Sequence, residues 1–182
     1  MIGWLWLSLA AAANTIAPVS ATTLAGARVE LPASMPAERT VLVLGFKQSH
    51  NTAFDAWRPH LSEMSRDPAV DWLELPYVDV PRILQGFIGG AMNRTIRDDV
   101  TRARFAPVWD SSIAMREALD IRGESSVVLV LCDRSGRVEV RIDGLPTSES
   151  VAALRVAALS TEPQPESSSS VAAPPGLSLI HI

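Results

Sequence analysis

One cysteine, Cys132, stands in 182 residues. Without a second thiol the chain can close no internal disulfide, carry no Cys-x-x-Cys redox pair and build no cysteine-rich zinc site. Histidine is nearly as scarce. His50, His60 and His181 show no close ligand spacing, so neither a metal nor a cofactor is expected. The chain also lacks a basic footprint: its net charge is −4 and its arginines are interleaved with acids, which speaks against nucleic acid as a partner.

Hydrophobic residues make up 47% of the chain, enough for one domain with a core. Both ends read differently from the middle. Trp4 to Ala13 is apolar but too short to span a bilayer, and Val19-Ser20-Ala21 offers small residues at the spacing signal peptidase accepts. Residues 1–21 are therefore expected to be a secretory leader and residues 22–160 the domain, with export to the periplasm or beyond. Residues 161–182 open on Pro, Ser, Ala and Glu, a composition that cannot bury a core, and end on an apolar hexapeptide that reads as a non-native scar.

Between these ends the strand signals are clear. Val127 to Cys132 is an unbroken apolar run, as in a strand buried on both faces, whereas Val138, Val140 and Ile142 alternate with Glu139 and Arg141. Asp133 to Gly136 supplies the turn of this hairpin. Thr40 to Phe46 is a second buried run, Val70 to Leu75 a third closed by Pro76, and Arg28 to Leu31 has the character of an edge strand. Phe54, Trp57, Leu61 and Met64 recur at helical spacing, with Pro59 predicting a kink.

Further on, Asp79-Val80-Pro81 opens a helix with Ile83, Leu84, Phe87, Ile88, Ala91 and Met92 on one broad face. Gly86 and Gly90, one turn apart, are expected to pack closely on a soluble core. Thr95 with Asp98 resembles a capping box before an arginine-rich helix, Phe105 to Trp109 suits a short extended piece, and Asp110 or Ser111 caps the next helix. Ser148 to Ala158 supplies the last one. Strands alternating with helices in this order imply an α/β sandwich on a mixed sheet.

This order resembles the thioredoxin fold over most of residues 40–159. Pro59-His60-Leu61-Ser62-Glu63-Met64 is similar to the Pro-x-Leu-x-Glu-apolar run of the family's first helix. Ile121-Arg122-Gly123, followed by Ser126-Val127, resembles the Ile-Arg-Gly-x-Pro-Thr lead-in to its central hairpin, and Asp143-Gly144 falls where the family keeps a glycine near its substrate groove. The resemblance implies a three-layer sandwich with a helical insertion over residues 81–104. It also implies where chemistry should be and is not. The two cysteine positions fall on Asn51 and Phe54, and the cis-proline position falls on Ser125.

Thiol exchange needs an attacking thiolate and a partner; Cys132, inside an apolar strand, is expected to be structural. The resemblance thus implies a redox-inactive module that binds a protein partner through Lys47, His50, Asn51, Ser125 and Leu145, in assembly or chaperoning. No catalytic residue is assigned. The competing readings are an enzyme using His50 as acid or base, against which a lone loop histidine reads as a solvated surface residue, and an assembly factor attached to a membrane through an uncleaved N-terminal segment.

Overall fold

The computed structural model describes residues 14–160. Tail residues 161–182 and most of the expected leader lie outside these, but residues 14–21 do not, and they belong to the fold. β1 (Val19–Thr22) and β2 (Arg28–Leu31) form an antiparallel hairpin in which Val19 faces Leu31 and Ala21 faces Val29. All four of these side chains are buried, as is Ile16. Asn14 and Thr15 are tied in as well, since the Val138 amide donates to the Asn14 carbonyl at 2.8 Å and Thr15 bridges Arg137. Residues 14–21, read above as the end of the leader, thus pack with the domain. Arg28 to Leu31 is a strand as expected, yet it pairs with β1 and not with the central sheet.

The central sheet has four strands in the order β4 (Val70–Pro76), β3 (Arg39–Gly45), β5 (Val128–Asp133), β6 (Val138–Asp143). β3 runs parallel to β4 and antiparallel to β5, and β5 runs antiparallel to β6, so the sheet is mixed. The apolar runs take the middle because a central strand needs two dry faces. Gly136, at φ +82°, closes the β5–β6 turn while the Asp133 carboxylate accepts from the Ser135 and Arg137 amides at 2.8 and 3.0 Å.

One face of the sheet packs on α1 (Asn51–Met64) and α5 (Ser148–Leu159), through Trp57, Leu61, Leu154 and Ala158. The other face packs on the β1–β2 hairpin and α4 (Ile113–Ala118), through Val19, Leu31 and Met115. Sheet and coverings make the three layers expected. α1 continues through Pro59 without a break.

Beyond β4 come the inserted helices α2 (Arg82–Thr95) and α3 (Asp99–Arg104). Asp98 is itself the cap of α3, its carboxylate accepting from the Thr101 amide at 2.8 Å; Thr95 instead ends α2. Phe105 to Val108 then runs extended along β4, where the Ala106 and Val108 amides donate to the Glu74 and Pro76 carbonyls and so cover that edge. α2 has no fully buried side chain. Gly86 and Gly90 look outward: a methyl group at Gly86 would meet nothing within 4 Å and one at Gly90 only the Arg94 guanidinium at 3.9 Å. The expected packing of these two glycines on a core is not what they do. It is Gly89 that faces the domain, over Trp109.

Candidate functional site

The site is built where β3 and β4 end. After Gly45 the chain turns sharply through a 3₁₀ turn (Gln48–His50) and starts α1 at Asn51, so Lys47 and Asn51 stand exposed beside the first turn of α1. A cleft of about 890 Å³ opens here. Phe46, Ile88, Met92, Ile96 and Phe105 give it apolar walls, and Lys47, Asn51, Asp55 and Arg58 line its α1 side. The inner face of α2 closes the far wall.

At the cleft wall sits a buried ion pair. Glu74, the one charged side chain of β4 that faces the core, is wholly inaccessible and is gripped by Arg58 at both oxygens, Nε to Oε1 at 2.7 Å and Nη2 to Oε2 at 2.8 Å. Asp55, one turn earlier on α1, pairs with the third guanidinium nitrogen. Burial pushes the Glu74 carboxyl above its usual range while the Arg58 guanidinium opposes that rise, and the same pairing holds Arg58 firmly protonated. Sequence reading passed over this pair. Its one visible signal was an acid in an otherwise apolar strand, and only the fold brings residue 58 to residue 74.

His50 is not the solvated loop residue expected. It is 5% exposed, its Nδ1 accepts from the Phe46 amide at 3.1 Å, and its ring stands edge-on to Phe46. Burial lowers its pKa, with the Glu124 backbone carbonyl acting the other way, so the ring is held neutral with Nε2 inside the protein and without a partner at bonding distance. A histidine with one nitrogen bonded to the Phe46 amide and the other sealed in braces the turn before α1. It does not reach the cleft.

Of the five residues singled out, Lys47 and Asn51 line the cleft together. Ser125 and Leu145 are exposed but lie outside its lining, on the loops before β5 and after β6. Those loops are fixed by Trp57, whose indole N–H donates to the Gly144 carbonyl at 2.9 Å, and by the Gly144 amide, which donates to Val127 at 2.8 Å. The position expected for a second active-site cysteine is filled by Phe54, which is 1% exposed and edge-on to Phe105. Phe54 lies so close to Gly45 that a methyl group there would come within 2.5 Å of the ring. The cleft lining holds neither a thiol nor an imidazole. Cys132 lies elsewhere, inside β5, where burial pushes its thiol up to about 12.

No protein-family model matches the chain, and no curated protein does. Solved structures do match. The exposed lipoprotein thioredoxin of Streptococcus pneumoniae strain TIGR4 superposes with a TM-score of 0.51 at 11% identity, covering 76% of this chain and 98% of that one. A thiol:disulfide interchange protein from Bacteroides sp. gives 0.53 at 9% identity, over 78% and 86% of the two chains. StoA from Bacillus subtilis gives 0.50 at 15% identity, over 77% and 97%. At such identities the likeness is one of architecture, and it defines the class: this chain has a thioredoxin-like fold. Within that class it is a chain with a single cysteine and hence without a Cys-x-x-Cys motif.

Proposed function

We propose that this is a thioredoxin-like module that performs no thiol–disulfide exchange and instead holds a protein partner at the mouth formed by Lys47, Asn51 and the inner wall of α2. One observation carries the reading. Where thiol chemistry would need a second cysteine, Phe54 is wedged over Gly45 as core, while Asn51 in the first position stays exposed beside a cleft with apolar walls. The recognition surface is thus kept and the reactive groups are replaced. Apolar walls with a few fixed polar groups suit the capture of a side chain from a partner, with Lys47 and Asn51 reading polar groups at the rim. Export fits the same reading, since the pneumococcal neighbour is described as an exposed lipoprotein.

A photoreactive phenylalanine analogue placed at Asn51 tests this, with Arg66, beyond the opposite end of α1, as control. In a native envelope extract the Asn51 probe is expected to give one discrete adduct that the Arg66 probe does not give and that Met92→Glu, inside the cleft, abolishes. Equal labelling from both positions, or an adduct indifferent to Met92→Glu, would overturn the proposal. Insulin reduction above that of a Cys132→Ala control would do so too.

A further inference from the structure

The outward face of α2 has no role in the cleft, which takes the inward face. Ile83 is 89% exposed and Phe87 73%, while Leu84, about 100° round the helix toward the cleft side, is 46% exposed. At about 100° per residue, Ile83, Phe87 and Arg94 fall within roughly 40° of one another on the helix surface, with Gly86 and Gly90 beside them meeting nothing of the domain. This stripe is therefore turned away from the core while the opposite side of the helix rests on Trp109 through Gly89, with Met92 and Ile96 against the main core.

Charge says what covers it. From Val80 through Ile96 the chain has Arg82 and Arg94 and no acid, in a molecule whose net charge is −4, while Arg97 and the flanking Asp79 and Asp98 line the cleft. Among the described residues none of these three arginines is in an ion pair. A second copy of the chain is a poor occupant: a two-fold contact would bring like charges together, and three apolar side chains fall well short of the roughly 800 Å² per partner that a stable interface buries. An anionic bilayer surface answers both features, because apolar side chains enter the acyl boundary while arginines meet the headgroups. Among the described residues no helix is long and apolar enough to cross a membrane, so the contact is one of lying on the surface.

We propose that α2 docks this protein on an anionic lipid bilayer, with Ile83, Leu84 and Phe87 inserted and Arg82 and Arg94 on the headgroup phosphates. The test is flotation of the full chain with phosphatidylcholine vesicles made with and without phosphatidylglycerol. Binding is expected only where phosphatidylglycerol is present, and it should weaken with added salt. Ile83→Ser with Phe87→Ser should lower it about tenfold or more, and Arg82→Gln and Arg94→Gln about fivefold each. All four positions are exposed, so the variants should keep the parent melting temperature. Absence of the parent from anionic vesicles overturns the proposal, as does equal flotation on neutral ones. So does undiminished binding by the double variant, which would place the contact in residues 1–13. Self-association lost in the double variant without any vesicle effect would assign the stripe to a second copy instead.

Discussion

Glu74 shows how a single residue ties the site to the stability of the fold. Its carboxylate is sealed inside the sheet and held by Arg58, so Glu74→Ala leaves a guanidinium with only Asp55 to answer it. The expected cost is about 3 kcal/mol, the lower end for a broken buried pair because Arg58 is 23% exposed and can turn to water. Replacing both residues by leucine should cost far less, and urea denaturation of the two variants separates these outcomes. His50 makes a pH prediction. Burial holds its pKa below the ordinary value of about 6.5, so between that value and the lower folded one the unfolded chain binds more protons, and stability falls as pH drops through that window. His50→Asn keeps an acceptor for the Phe46 amide and cannot titrate. Its denaturation midpoint should fall less than the parent's between neutral pH and pH ~5; equal falls would mean that the ring titrates as if exposed.

Among the elements, β1 bears most on where a cleaved leader would have to end. A leader ending at Ala21 would carry away a strand with buried Val19 and Ala21, and with it Ile16, whereas one ending at Ala13 leaves the described fold whole and has small residues at positions 11 and 13. A chain starting at Asn14 is expected to melt like the parent, and one starting at Thr22 well below it; intact mass of exported protein should give Asn14 as the first residue. The element was hard to read because Val-Ser-Ala-Thr serves equally as a short strand and as a peptidase site. β3, β5 and α1 were legible, since a run buried on two faces and a stripe at helical period each leave one solution. α2 was legible as a helix and its facing was not: Gly86-xxx-Gly90 carries no mark of which neighbour it meets. The same gap explains the site. Lys47 and Asn51 could be placed by the turn between strand and helix, but the ion pair and the apolar wall come from residues far apart in the chain, and Ser125 and Leu145, chosen by analogy of loops, lie outside the cleft lining.

For the whole molecule, the missing burial in α2 sets an order of opening. Hydrogen exchange reports the least costly excursion that frees each amide. β3 and β5 lie in the middle of the sheet with side chains buried on both faces, so their amides should exchange only through global unfolding. Those of α2 need only the helix to lift from Trp109 and free Met92 and Ile96 from the core, and low concentrations of urea should speed exchange in β3 while leaving α2 unchanged. Identical urea dependence in the two would merge them. The chain is thus expected to behave as two cooperative units, a sheet with its covering helices and a hinged flap, and the flap can exchange with solvent many times within the lifetime of the folded sheet.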